Sequence, residues 1–214
     1  MPEKSLENSE LYESRFGYGQ ARKDFRFYLT LLLVFFVWFC VRTALFTAYG
    51  VVSVDGTSMA KTLKHGDCLL VDCNVPADYG DVIVVDVRSY AEFDGTGTQF
   101  LIKRLIAKGG DSVYCEDGQL YIRYQGTDEY VSLEENYAYY QYDKAYYDFG
   151  VYELAEDEIF FLGDNRQGSS DSRYEEGFSR LEDRLYKSED IYGVVPSFVM
   201  NNRLLLKILL FPAL

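Results

Sequence analysis

The longest apolar stretch of the chain lies near its N-terminus. Fifteen residues without a charge, FYLTLLLVFFVWFCV, occupy positions 27–41, and apolar residues resume after Arg42. A membrane-spanning helix needs about 20 predominantly apolar residues, so the pattern predicts one transmembrane helix over residues 25–48. Arg42 would lie near its far end, where a long side chain can extend to the headgroups. The alternative is a cleaved signal peptide, which is disfavoured because 26 residues precede the stretch and no small-residue cleavage motif follows it.

Behind the apolar stretch, short aliphatic runs alternate with turn-prone residues. The runs are Cys68–Cys73, Asp81–Val87, Phe100–Ala107, Glu158–Leu162 and Ile191–Val195. This spacing is typical of antiparallel strands rather than of βαβ units. The predicted fold class is therefore mostly β: an antiparallel β domain with a small inserted β/loop subdomain, preceded by one N-terminal transmembrane helix.

A tyrosine-rich, acidic segment interrupts the predicted β domain. Residues 124–158 hold nine tyrosines and ten acidic residues against the single Lys144. We favour a half-buried sheet face, where tyrosine is common, over a dedicated binding surface. The expected organisation is a tail at 1–24, the transmembrane helix at 25–48 and a β domain at 49–214. Within that domain the core covers about 49–112 and 158–200, and the inserted cap covers about 113–157.

The C-terminal run Arg203–Leu214 is apolar but too short to span a bilayer. It either lies along the membrane surface or packs on the β domain, and packing is the preferred interpretation.

Charge orients the chain and argues against several functions. Arg22, Lys23 and Arg26 precede the apolar stretch, whereas Arg42 stands alone at its other end. The positive-inside rule therefore predicts a single-pass protein of the cell membrane, with the N-terminus cytoplasmic and residues 49–214 extracellular.

A net charge of −13 argues against nucleic acid as a partner. Four cysteines are too few for a disulfide scaffold, and one histidine without clustered cysteines argues against a metal site.

Three segments carry candidate chemistry, and each alone is unremarkable in sequence. The first, Gly56-Thr57-Ser58-Met59, follows the apolar stretch closely. The second places Lys103 in an aliphatic strand, where an amine is costly unless it is neutral or hydrogen-bonded. Because Arg104 occupies the other face of that strand, alternation does not show which face is buried. The third is the loop 163–173, GDNRQGSSDSR.

In combination, GTSM, then IKR followed by GGD, then GDN-x3-S-x-DSR, the three segments resemble the type I signal peptidase family, in its single-span Gram-positive form. The resemblance covers roughly residues 25–112 and 158–200. It implies a membrane-anchored serine endopeptidase that removes signal peptides from exported preproteins, working beside the lipid bilayer and transiently with the secretion machinery. It implies no metal or organic cofactor.

The resemblance also implies a role for each matching residue. Ser58 would be the nucleophile, Lys103 its general base and Ser169 the residue that orients the lysine amine. The remaining matches fall into two groups. The oxyanion hole and substrate groove would include Gly56, Thr57 and Met59, and the structural brace of the site would include Asp164, Asp171 and Arg173, with Asn165 shaping the same loop.

The chain departs from the family pattern at three positions. Lys61 stands where the family usually has a proline, and Gly109 stands where it often has another; both changes are expected to alter loop stiffness more than chemistry. Gly56 stands where some members carry a serine that completes the oxyanion hole. The hole would then depend on the Ser58 amide and a second donor, for which the Gly56 amide and Thr57 are candidates.

Other interpretations of the same residues stay open at this point. A Ser–His–Asp triad would use His65 with Asp67 or Asp72. A catalytically inactive, membrane-anchored extracellular module of the same fold would bind peptides only. A soluble self-cleaving repressor of the Ser–Lys type is disfavoured by the apolar stretch and the lack of a basic DNA-reading region.

Overall fold

The computed structural model describes residues 3–88, 100–173 and 186–210, and the chain divides into two units, Met1–Thr47 and Ala48–Leu214. The first unit is the helix α1, Glu3–Ala48. Its part Arg22–Ala48 is long and apolar enough to cross a membrane. The hydroxyl groups of Thr30 and Thr43 donate hydrogen bonds to backbone carbonyls one turn earlier. These polar atoms are therefore satisfied within the helix, as a helix in a bilayer would require.

The second unit is built from antiparallel strands. In chain order they are β1 Gly50–Ser53, β2 Cys68–Val71, β3 Val82–Asp86, β4 Phe100–Lys108, β5 Ser112–Glu116, β6 Gln119–Arg123, β7 Val131–Ser132, β8 Phe149–Glu153, β9 Glu158–Leu162, β10 Tyr186–Lys187 and β11 Ile191–Val194. Two short helices follow, α2 Ser197–Asn201 and α3 Arg203–Leu210, and 3-10 turns lie at Lys144–Tyr147 and Ser188–Asp190. The described chain is therefore mostly antiparallel β with an N-terminal apolar helix, as predicted.

The central sheet positions the candidate site. Its strand order is β10-β9-β4-β3-β11, with every pair antiparallel, and β1 pairs separately with β2. Strand β4 lies in the middle, so its residues are covered by neighbours on both sides; Ile83 of β3 lies opposite Lys103. Its aliphatic residues pack with those of β3 and β9 into one buried cluster that includes Ile83, Val85, Leu105 and Phe161.

The cap forms a second sheet with the order β7-β6-β5-β8. One face packs on a cluster that contains Val113, Ile122 and Phe160. On β5 and β6, Tyr114 and Tyr121 face each other and stack with ring centroids 4.9 Å apart. Most described tyrosines of the cap are half-buried, as the sheet-face interpretation expects. Of the described tyrosines in 124–158, however, only Tyr152 lies on a strand, and the others lie in the connections between strands.

The strand predictions differ from the structure mainly at their ends. The predicted run Cys68–Cys73 ends as a strand at Val71, because Asp72 forms an isolated bridge with Val194 and then caps a turn at Asn74. The C-terminal run forms α3, which packs against β2, and Leu206 on this helix is buried. Packing on the domain was the preferred interpretation, and residues 211–214 lie outside the described residues.

Candidate active site

Ser58 lies in the loop that joins β1 to β2. The loop closes on itself through Val54 and Asp67, whose backbone groups pair at 2.9 Å. A helical turn starts at Thr57, whose carbonyl accepts from the Ala60 amide at 2.9 Å. Met59 anchors this turn with a side chain that is only 2% exposed, and Ser58 beside it is half-buried.

Lys103 is buried in the central strand, 3% exposed, and its Nζ donates to Ser169 Oγ at 3.0 Å. Burial lowers the pKa of Lys103 to about 8; the negative charge of Asp171 opposes this shift, and the positive charge of Arg173 adds to it. A buried amine with a lowered pKa is a candidate general base. Arg104, on the other strand face, is also buried, so the structure buries both charges that the sequence left undecided.

The loop after β9 brings the serine and lysine segments together. A Cβ on Gly163 would lie 2.2 Å from Ser169 Oγ and 2.6 Å from the carbonyl oxygen of Ser58. Only glycine leaves room for both groups there. Next to it, the Asn165 amide donates to the Ser58 carbonyl at 2.9 Å. Ser58, Lys103 and Ser169 are therefore assembled around one short loop.

Ion pairs fix this loop from two sides. Behind Ser169, Arg173 Nε donates to Asp171 at 2.7 Å, and Asp171 accepts from the Gly163 amide at 3.0 Å. On the other side, Arg104 holds Asp164 through two bonds of 2.8 and 2.6 Å. Bidentate arginine–carboxylate pairs constrain geometry strongly. These contacts suit the bracing role that the resemblance implies for Asp164, Asp171 and Arg173.

The cap contributes contacts that sequence reasoning missed. Arg166 is fully buried and paired with the carboxylate of Glu135. Burial, the largest single influence, would lower the pKa of Arg166, but the hydrogen bond that it donates to Glu135 and the nearby charges of Glu135 and two tyrosines together raise the pKa. Tyr139 forms a parallel bridge with Asn165, and the Arg104 guanidinium lies 3.9 Å from the ring centroid of Tyr137. A buried arginine needs an anion, but ten acidic residues in this region hide which one is used.

The single histidine pairs with a carboxylate other than the two considered for a triad. His65 Nδ1 is 3.2 Å from Asp55, and these side chains are 71% and 92% exposed. Asp67 instead pairs with Arg203 at 3.0 Å. Among the residues that the structure describes, no group of His, Cys, Asp or Glu is arranged to hold a metal ion.

Comparison with known proteins identifies the family. A family model described as signal peptidase, peptidase S26, matches residues 25–198. The chain belongs to this signal peptidase family. It is 36% identical to a signal peptidase I of Bacillus licheniformis, over 62% of this chain and 69% of that protein. It is 31% identical to signal peptidase I P of Bacillus subtilis subsp. natto, over 77% of this chain and 82% of that protein.

A solved signal peptidase I from Enterococcus faecalis V583 also resembles the chain, with 25% identity and a TM-score of 0.40, over 56% of this chain and 97% of that one.

Two departures from the signal peptidase pattern have structural counterparts beside Ser58. Lys61 adopts a positive φ of 71°, which proline, fixed near −65°, cannot reach. Its Nζ lies 4.0 Å from the ring centroid of Tyr139 in the cap. The change from proline therefore affects backbone conformation, more than the stiffness that we expected. Gly56 has a φ of 86° and is exposed, and a Cβ at this position would meet no atom of the described residues within 4 Å.

Met59 was expected in the substrate-binding wall. Its Sδ accepts from the Asp164 amide at 3.5 Å, beneath the loop. This contact supports the loop, and a role in the wall stays a prediction.

Proposed function

We propose that this chain is a membrane-anchored serine endopeptidase that cleaves N-terminal signal peptides from exported preproteins, with Ser58 as nucleophile and Lys103 as general base. The observation that carries the proposal is the buried Lys103 amine, bonded to Ser169 on the loop that also holds the Ser58 carbonyl. Family membership supports the reaction and the substrate class.

The proposed mechanism begins with the neutral form of Lys103. Its amine takes the Ser58 hydroxyl proton as Oγ attacks the scissile carbonyl, and the Ser58 amide stabilises the resulting oxyanion. The lysine then gives this proton to the leaving amine, which frees the mature protein. Water, deprotonated by the same amine, hydrolyses the acyl-enzyme. Ser169 keeps the amine directed at Ser58, and bound substrate excludes water.

The proposed setting is the outer surface of the cell membrane. The segment Arg22–Ala48 anchors the chain with its N-terminus in the cytoplasm, and the secretion machinery delivers the substrate transiently. The apolar part of a signal peptide would lie in the bilayer while its cleavage region extends into the groove beside Ser58. Small residues before the cut would fit shallow pockets, and the extended backbone would pair with a strand edge.

Lipid contact through α3 is a further part of the proposal. This helix turns its basic residues toward the domain: Arg203 pairs with Asp67, and Lys207 Nζ lies 3.8 Å from where a Cβ of Gly66 would stand. Its Leu204 and Leu205 are 74% and 62% exposed. An exposed apolar face of this kind suits the hydrocarbon boundary better than water.

A contact between α2 and the residue that follows α1 supports lipid contact. Phe198 of α2 is 42% exposed and packs against Tyr49, with ring centroids 6.1 Å apart. Tyr49 directly follows Ala48, the last residue of α1. Phe198 is thus held beside the residue that directly follows α1 along the chain.

The decisive experiment is cleavage of a preprotein in liposomes by four proteins. Wild type is expected to cleave, whereas Ser58→Ala and Lys103→Arg, the latter a permanent cation, are expected to lose essentially all activity. His65→Ala is expected to retain activity because His65 belongs to no triad. Equal turnover by wild type and Ser58→Ala would refute the proposal and leave the peptide-binding alternative.

A further inference from the structure

The peptide bond between Thr57 and Ser58 carries the amide that would face the oxyanion. In a trans peptide the C=O and the N–H lie in one rigid plane and point in opposite directions. Any group that holds the Thr57 carbonyl therefore also sets the direction of the Ser58 N–H. This direction matters more in a chain with Gly56, which offers no side-chain hydroxyl as a second donor.

Asn165 holds both carbonyls that flank this amide. Its side-chain Nδ2 donates to the Thr57 carbonyl at 3.1 Å, and its backbone N–H donates to the Ser58 carbonyl at 2.9 Å. The Thr57 carbonyl also accepts from Ala60, but that bond is internal to the same turn. The Asn165 bonds come from the loop that carries Ser169, so they fix the turn relative to the lysine.

The carboxamide of Asn165 is itself held in one orientation. Asn165 is 1% exposed, and its Oδ1 accepts from Gln141 Nε2 of the cap at 3.3 Å. With Oδ1 directed at a donor, Nδ2 is left to face the Thr57 carbonyl. Gly168 provides the space, because a Cβ there would lie 2.5 Å from Nδ2.

We propose that Asn165 is a positioning residue that directs the Ser58 amide at the oxyanion, and that Gln141 of the cap keeps the Asn165 carboxamide in the required orientation. The inference rests on the proposed function, because it takes Ser58 as the nucleophile. It gives part of the tyrosine-rich cap a role in the reaction.

The test measures kcat and KM of the full-length protein in liposomes, from pH 6 to 10, for Asn165→Ala, Asn165→Asp, Gln141→Ala and the double variant Gln141→Ala/Asn165→Ala. Removing an oxyanion donor typically costs about 10²–10³ in rate. Misdirecting one should lower kcat by about 10- to 100-fold in either Asn165 variant, with KM within about twofold. The pH at which kcat reaches half its maximum should not move, because the contacts of Lys103 are unchanged.

Gln141→Ala keeps the inference testable if the buried Asn165 variants fold poorly, because Gln141 is exposed. It should lower kcat by a few-fold alone and add nothing in the Asn165→Ala background, since Gln141 acts only through Asn165. Gln125→Ala is the matched control in the cap, because Gln125 Nε2 bonds to Glu156 instead; its kcat should equal that of wild type.

The outcomes separate the inference from the proposed function. An active Ser58→Ala protein would reject both. Loss of activity in Ser58→Ala, together with unchanged kcat in a folded Asn165→Asp or Gln141→Ala protein, would reject the positioning role alone. Additive losses in the double variant would also overturn it.

Discussion

At the scale of single residues, the site depends on one amine kept out of water. Lys103 is 3% exposed, and its pKa is lowered to about 8, well below the 10.5 of a free lysine. A small neutral fraction is then available near neutral pH, where an ordinary lysine would have almost none. The same burial makes the residue costly to the folded state, so its proposed role as general base and the stability of the fold are opposed at this position.

The first prediction concerns the stability cost of Lys103 and its pH dependence. Between pH 8 and 10.5 the unfolded chain binds a proton that the folded chain has released, so the wild type gains stability as the pH rises through this window. Below pH 8 Lys103 is protonated in both states, so the full cost of burying its charge lowers the free energy of unfolding. Lys103→Met should therefore be inactive, and more stable at pH 7 by on the order of 3 kcal/mol.

Urea unfolding of the detergent-solubilised protein from pH 7 to 10.5 checks this prediction. The difference in the free energy of unfolding between Lys103→Met and wild type should become smaller as the pH rises. Lys187→Met is the control. The hydrogen bond with Asp157 raises the pKa of Lys187, so this variant should not show the same narrowing. A gap that stays constant with pH would contradict the assignment of the cost to Lys103.

At the scale of elements, the sequence predicts what local patterning determines. The strand predicted at Glu158–Leu162 is observed with those bounds, and the one at Phe100–Ala107 extends by one residue. Aliphatic residues between turn signals suffice for this. The family resemblance of three motifs pointed to Ser58, Lys103 and Ser169; their segments meet at one loop, and their catalytic roles stay a prediction.

Contacts between the cap and the loop 163–168 were not predictable in the same way. Glu135 and Arg166 are 31 positions apart, and no periodicity links them. The sequence alone indicates only a change in loop stiffness at Lys61, because its positive φ depends on tertiary packing. Such features depend on which distant segments pack against each other, and local sequence patterns do not indicate that packing.

The second prediction concerns the pair between the cap and the loop. Glu135→Gln leaves the fully buried Arg166 cation without its anion, which typically costs about 3–5 kcal/mol. The midpoint of urea unfolding should fall accordingly, and activity should fall with it because Arg166 shares the loop of Ser169. The control is Asp157→Asn, which removes an exposed partner of Lys187 and should change stability by less than about 1 kcal/mol. Similar midpoints for both variants would show that the cap pair does not stabilise the loop.

The third prediction concerns α3. A tryptophan at Leu205, in a Trp38→Phe background so that it is the only one in the chain, should emit at short wavelength in liposomes and be quenched by brominated lipids. Its physical basis is the 62% exposed leucine on a helix whose basic residues face the domain. The same substitution at Val131 on β7 is expected to show emission typical of water. Water-like emission at position 205 would reject lipid contact.

At the scale of the whole molecule, the chain consists of two units, an apolar helix and a β unit. In the proposed function, the apolar helix would hold the chain at a membrane, and the β unit carries the candidate site. Only one residue, Tyr49, separates the last residue of α1 from β1, and the Ser58 loop directly follows β1. The proposed nucleophile is thus tied by a short stretch of chain to the surface where a signal peptide would emerge.

The last prediction concerns topology. Arg22, Lys23 and Arg26 outnumber Arg42 across the apolar stretch, so the β unit should be digested by protease added to intact spheroplasts, while an N-terminal tag stays protected. Replacing the three basic residues together with glutamate should invert a measurable fraction of the molecules, because Arg15 alone then remains on the N-terminal flank, against Arg42, Lys61 and Lys64 on the other. Lys4→Glu is the control: it lies farther from the stretch than the roughly 15–20 residues that count, so its protection pattern should match wild type. A protected β unit in the wild-type protein would contradict the extracellular placement of Ser58, and with it any access to exported preproteins.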